Sequence, residues 1–294
     1  MRSLLITGAS GFLGWHACRI LAQNWQVFGT YHTQPVQLKT AAVCPLNLNH
    51  DESIQACWEM TQPHAVLHTA AVSKINQCQQ EPEKSYEINV TGAVKLAERC
   101  AAANIPFLFT STDLVFDGTQ APYVESSPTS PINCYGQQKA TAEAKILSAY
   151  PQATICRLPL MYGTATPVAT CFLQGFLEAI TAGKILTLFT DEIRTPAEVT
   201  DVIQGLKLVL DQQVTGILHL GGPQSLNRYE FGQLMAAAFH VPSTAMKPCL
   251  QSSVSLTTPR PKDVSLNSQR AFGLGYSPRT AAVALSEIAT SLND

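Results

Sequence analysis

Over the first half of the chain, short apolar runs alternate with longer stretches of helical spacing. Leu4-Leu5-Ile6-Thr7 reads as a buried strand, and residues 12–24 follow with Leu13, Ala17, Ile20 and Leu21 at helical intervals. The pattern predicts further strands at 26–31, 65–69, 106–111 and 153–158, and helices at 51–60, 82–104 and 133–149. Pro82 with Glu83 at one end and Asn104-Ile105-Pro106 at the other bound the 82–104 helix. Strands apolar on both faces and separated by helices indicate an α/β protein whose parallel sheet is covered on each side. Beyond residue 160 the rhythm becomes irregular. Helical patterns occur at 168–182, 198–210, 228–240 and from 281, with a short strand at 217–220 before Gly221-Gly222-Pro223. The expected division is a sheet domain at 1–160 and a smaller, mainly helical region at 161–294, whose later segments are free to return to the sheet.

Composition narrows the function classes. Hydrophobic residues make up 46% of the 294, too many for a disordered chain, whereas charged residues are only 14%. Nineteen basic residues face twenty-one acidic ones, with no basic block, so a nucleic-acid partner is not expected. Sparse charge fits a self-association face, as in a homodimer, and equally a surface filled by Gln, Thr and Ser. The uncharged stretch 158–177 is broken by Pro159, Gly163 and Pro167 and is no membrane span. Nine cysteines without a C-x-x-C read as small apolar fillers in a reducing compartment, so no metal site is expected. Glycines 8, 11 and 14 interrupt the apolar N-terminus before any secretory cleavage pattern. The expected location is the cytoplasm.

Thr7-Gly8-Ala9-Ser10-Gly11-Phe12-Leu13-Gly14 joins the first strand to the first helix. In such a loop Gly8 permits a tight turn, Gly11 lets the backbone approach a pyrophosphate, and Gly14 allows close helix–strand packing. The helix N-terminus then presents free N–H groups to the phosphates. An NAD-preferring site carries an acidic residue at the end of the second strand. Here Gly29-Thr30-Tyr31-His32-Thr33 has no carboxylate, and Thr30, His32 and Thr33 are hydrogen-bond donors for a 2′-phosphate. The expected cofactor is NADP, with NAD as the alternative because no Arg occurs between this segment and Lys39.

Tyr135 and Lys139 lie four residues apart, on one face of the 133–149 helix. An ammonium beside a phenol lowers its pKa and lets the tyrosine deliver a proton to a carbonyl under reduction. Ser111 and Thr112, at the end of the fifth strand, place hydroxyls at the carboxyl edge of the sheet, where ligands of such sheets bind.

The combination of T-G-x-x-G-x-x-G, a hydroxyl after the fifth strand and Y-x-x-x-K resembles the extended short-chain dehydrogenase/reductase family. Ser111-Thr112-Asp113-Leu114-Val115-Phe116-Asp117-Gly118 resembles the S-T-D-Y-V-F-D-G stretch of dTDP-4-dehydrorhamnose reductases, and Pro131-Ile132-Asn133-Cys134-Tyr135-Gly136 their S-P-x-N-x-Y-G. Blocks at 157–163, 192–196 and 260–263 also match. This resemblance implies a Rossmann-type doubly wound parallel sheet with a C-terminal substrate region. It implies that Tyr135 is the general acid, that Lys139 binds the nicotinamide ribose, and that Thr112 holds the carbonyl of a nucleotide sugar. Ser111 and Asp113 then fall at the substrate. Asn89 matches an asparagine that steadies the active-site helix. His68-Thr69-Ala70-Ala71 matches a loop along the cofactor, with Tyr31, His32, Leu48 and Leu158 also at the cofactor and Asn47 at its adenine. Arg194 and Arg260 are the candidates for a nucleotide diphosphate, since a guanidinium fork suits phosphate oxygens.

Departures bear on the substrate. Leu114 replaces the usual tyrosine, and Gln137-Gln138 a common Lys-Thr. Leucine after Thr112-Asp113, where dehydratases of the wider family have glutamate, argues against a 4,6-dehydratase. The leading reading is a reductase of a 4-keto nucleotide sugar. The alternatives are reduction of a small non-nucleotide carbonyl compound, and a regulatory dinucleotide-binding subunit resembling the beta subunit of methionine adenosyltransferase.

Overall fold

A computed structural model describes residues 1–293. Six early strands, β1 (Ser3–Thr7), β2 (Gln26–Tyr31), β3 (Ala42–Pro45), β4 (Ala65–His68), β5 (Phe107–Thr112) and β6 (Thr154–Leu158), join Gly216–His219 in one parallel sheet. Its order is Gly216–His219, β6, β5, β4, β1, β2, β3. The order reverses between β1 and β4, and the carboxyl ends of these two strands therefore open a crevice. This is a Rossmann-type doubly wound sheet, as expected.

The sheet is apolar on both faces because both are covered. Along β1, Leu4 and Ile6 belong to one core and Leu5 to the other, following the two-residue period of a strand. The first core includes α1 (Phe12–Leu21) and the helix Val199–Gln212; the second includes α2 (Asp51–Thr61), α5 (Ala93–Ala103) and α6 (Cys134–Ala149). Thus the segment 199–219 returns to the first half of the chain as both a covering helix and an edge strand. A third core, around Leu173, Phe231, Met235 and Leu285, holds the C-terminal helices together.

Two local features differ from the sequence reading. β3 was not expected: four residues of mixed exposure carry no clear alternation, and its Pro45 is tolerated because the strand forms the sheet edge. The single helix expected at 82–104 is instead α4 (Pro82–Tyr86), a π-helical turn Glu87–Gly92, and α5. The turn follows from two contacts. Asn89 is drawn into side-chain hydrogen bonds with its neighbours, and Gly92 presses so close to Leu48 that a Cβ there would lie 2.6 Å from the Leu48 Cβ. Among the described residues no helix is long and apolar enough to cross a membrane.

Candidate active site

The loop after β1 is built by exclusion. Gly8 has φ +77°, open to glycine, and a Cβ there would stand 2.8 Å from the Ala70 Cα. Its carbonyl accepts the Gly11 N–H at 2.9 Å, closing the turn before α1. A Cβ on Gly14 would overlap the Gly8 carbonyl oxygen and approach Thr69 Oγ1 to 2.8 Å. Helix, turn and the β4 loop are therefore in mutual backbone contact. Gly14→Ala is expected to cost roughly 1–3 kcal/mol in urea denaturation, as an overpacked site with no flexible neighbour to yield.

The β4 loop is fastened to the same place by the hydroxyls of Thr7 and Thr69, the latter donating to the Thr7 carbonyl. Thr7 Oγ1 accepts from the backbone N–H groups of Thr69 (3.1 Å) and Ala70 (3.2 Å) and lies 2.8 Å from His68 Nδ1. Burial, reinforced by the nearby Lys139 charge, pulls the His68 imidazole down to about 3, so it is neutral.

Apart from Thr33 and His68, every residue assigned to the dinucleotide from the sequence lines one cleft of about 430 Å³ at this edge. The glycine turn supplies Gly8, Ser10, Gly11, Phe12, Leu13 and Gly14. Tyr31 and His32 come from the end of β2, Asn47 and Leu48 from beyond β3, and Thr69, Ala70 and Ala71 from beyond β4. Tyr135, Lys139 and Leu158 complete the set. No carboxylate is among the lining residues, and Lys139 is the one side-chain ammonium or guanidinium. Thr30, expected from the sequence as a donor to a 2′-phosphate, also lines the cleft, whereas sequence reasoning missed Leu46, Val72, Ser73, Ile88, Thr110 and Met161. Met161 falls within the matching block 157–163, which carried no assignment to the cleft.

α6 carries the tyrosine and lysine into the cleft. Asn133 caps it, its Oδ1 accepting the Gly136 N–H at 2.9 Å. A Cβ on Gly136 would overlap the Leu114 carbonyl, so glycine there lets the helix start against the turn 113–115. Tyr135 is half-buried. Desolvation pushes its phenol well above the ordinary range, with Cys78 and Asp113 adding to the rise and Arg194 opposing it. The expectation that Lys139 lowers this phenol is thus corrected: burial dominates, and the tyrosine is a protonated acid at neutral pH. Lys139 is buried with its Nζ 3.8 Å above the centre of the Phe109 ring. Burial lowers its ammonium to about 7, against the opposing pull of Glu143 and Cys78.

The other assigned residues lie around the cleft and are held by one another. Thr112 is not among the lining residues; its Oγ1 accepts from the Leu114 N–H and donates to Asp113 Oδ1, both at 3.2 Å. Ser111 lines the cleft, but its hydroxyl donates to Glu143, which is itself paired with Arg157 at 2.7 Å in the interior. Asp113 is fully buried and receives both arms of the Arg194 fork, Nε at 2.5 Å and Nη2. The Arg194 fork is therefore occupied by a carboxylate. Arg260 is more open, 37% exposed, with Nη1 3.3 Å from Glu192, which also binds Arg228 at 2.8 Å. Arg228 was not foreseen; it stands at the start of the helix Arg228–Ala238, far in sequence from Glu192. Asn89 is 1% exposed, bonding Val72 through both N–H (2.8 Å) and C=O (3.0 Å) and donating to Gln138 Oε1 at 2.8 Å.

The sheet order, the glycine turn and the Tyr135–Lys139 pair define an extended short-chain dehydrogenase/reductase-like fold. Within it the chain belongs to the family described as RmlD substrate binding domain, whose model matches residues 1–293. It is 29% identical to methionine adenosyltransferase 2 subunit beta of Xenopus laevis over 286 residues, covering 95% of this chain and 84% of that protein. It is also 29% identical to a probable low-salt glycan biosynthesis reductase, Agl14, of Haloferax volcanii, covering 98% of each chain. Among solved structures, dTDP-4-dehydrorhamnose reductase of Bacillus anthracis in complex with NADP superposes with a TM-score of 0.87 at 21% identity, covering 99% of this chain and 100% of the other.

Proposed function

We propose that the protein is a cytoplasmic, NADPH-dependent reductase of a 4-keto nucleotide sugar. The carrying observation is the cleft: a glycine turn at one end and the Tyr135–Lys139 pair at the other face a single space. The turn and the N-terminus of α1 suit a pyrophosphate, and the end of β2, with no carboxylate, suits a 2′-phosphate. The NADP held by the Bacillus anthracis protein of the same fold is consistent with this choice. Bound NADPH supplies a hydride to the ketone carbon. Tyr135, protonated by virtue of its burial, donates its proton to the carbonyl oxygen as negative charge develops there. Lys139, at the floor of the cleft, meets the ribose hydroxyls and supplies positive charge beneath the phenol. Thr112 holds the substrate carbonyl once its hydroxyl turns from Asp113, with Ser111 alongside. Arg260, the more open guanidinium, is assigned to the substrate diphosphate; Arg194 reaches the substrate only by leaving Asp113.

A second reading rests on the 29% identity to the methionine adenosyltransferase subunit. It is a dinucleotide-binding subunit of another enzyme, and the engaged hydroxyl of Thr112 favours it. One assay separates the two. Rapid oxidation of NADPH with dTDP-4-keto-6-deoxy sugars, in either epimeric form, is expected of the reductase. Dinucleotide binding by thermal shift without oxidation, together with a stoichiometric partner in native extract, would transfer the assignment to the subunit.

A further inference from the structure

Gln138 stands between Tyr135 and Lys139 on α6, yet unlike Gln137 it is buried, only 4% exposed. Both ends of its amide are engaged. Oε1 accepts from Asn89 Nδ2 at 2.8 Å, while Nε2 donates to the Ser85 hydroxyl at 2.8 Å and the Pro82 carbonyl at 3.0 Å. Cys134 Sγ lies 3.3 Å from the same nitrogen. Ser85 and Pro82 belong to α4, and Asn89 to the π-helical turn. From Asn89 the chain of bonds continues to both backbone polar groups of Val72, a cleft-lining residue. One amide therefore joins α6, α4, the π-helical turn and the β4 loop.

The functional side chains of α6 depend on such a fastening. The Lys139 ammonium rests on the face of Phe109, a contact with little directional hold, so the backbone of α6 decides where it sits. We infer that Gln138 is a positioning residue: its doubly engaged amide fixes α6 against α4 and the π-helical turn, and so sets where Tyr135 and Lys139 enter the cleft. This rests on the reductase reading for its effect on turnover, though not for its effect on Lys139.

The test uses two variants of the full chain. Gln138→Leu removes every bond of the strap. Gln138→Glu keeps the acceptor for Asn89 and loses the donor to Ser85 and Pro82. The charged and titratable groups already facing Lys139 are Glu143 on its own helix, Cys78 on α3 (Ile75–Gln80) and His68 on β4. For Gln138→Leu, kcat is expected to fall by about 100-fold, as for a misplacement of about 1 Å, with NADPH affinity within about twofold of wild type. For Gln138→Leu, which adds no charge, the pH midpoint of kcat is also expected to move upward as the released helix lets water reach the Lys139 ammonium, a readout that a loss of folding stability alone does not move. Gln138→Glu, which keeps the Asn89 bond, is expected to lose less of kcat. Unchanged kcat and pH profile in the folded variants would overturn the inference. If wild type reduces no keto sugar, the reductase reading fails by itself. The pH dependence of Lys139 labelling by an amine reagent, followed by peptide mass spectrometry, then decides: an upward midpoint in Gln138→Leu upholds the positioning role, and an unchanged midpoint ends it.

Discussion

Replacing Tyr135 by Phe is expected to lower turnover by about two or more powers of ten while leaving NADPH affinity within about twofold. The ring stays, so the shape of the cleft is kept; only the proton on the phenol is lost. Desolvation raises that phenol above its ordinary value, so the falling limb near neutral pH is not assigned to Tyr135. It is assigned to Lys139. Its ammonium titrates near 7, depressed by burial, and its positive charge in the cleft disappears as pH rises through that value. In the free enzyme kcat/KM should therefore fall on raising the pH above about 7. Single-turnover oxidation of NADPH across pH 6 to 9, read with wild type and Tyr135→Phe side by side, checks both statements. Equal turnover in the variant would remove Tyr135 as the acid and with it the proposed mechanism.

What the sequence revealed and what it hid divide along physical lines. Strands such as Leu4-Leu5-Ile6-Thr7 are legible because burial on both faces demands an unbroken apolar run. The glycine turn is legible because only glycine fits a positive φ at residue 8 and the backbone contact at residue 14. Both are local requirements, written in adjacent residues. The π-helical turn is different: it goes with Gly92 against Leu48 and with a side chain, Asn89, reaching Val72 and Gln138 at separations of 17 and 49 residues. No helical periodicity encodes that. The arginines make the same point. A lone Arg flanked by proline looks free to grip phosphate, but Arg194 finds its carboxylate at Asp113, 81 residues away, and the pairing is decided by topology. In a chain with so few charges, several of those present are buried in pairs, and a surface reading of them misleads.

The pair Glu143–Arg157 carries the largest expected effect on stability. Arg157 is 2% exposed and binds Glu143 through Nε at 3.1 and 3.2 Å and through Nη2 at 2.7 Å, with the Phe116 ring beneath its guanidinium. Arg157→Met leaves the Glu143 carboxylate inside the protein with the Ser111 hydroxyl as its remaining partner. The expected cost is about 3–5 kcal/mol, measured as a shift in urea midpoint at constant slope. Adding Glu143→Leu removes the stranded charge, and the double variant should be more stable than Arg157→Met alone, since a buried ion pair replaced by apolar side chains is close to neutral. Activity should not recover with stability. Glu143 lies one helical turn beyond Lys139 and its charge supports the Lys139 ammonium against burial. Without it the lysine loses its proton at lower pH, and the fall in kcat/KM should begin at lower pH in the double variant than in wild type. A double variant both stable and unchanged in pH profile would mean that the Glu143 charge does not reach the cleft, and that the pair serves the fold alone.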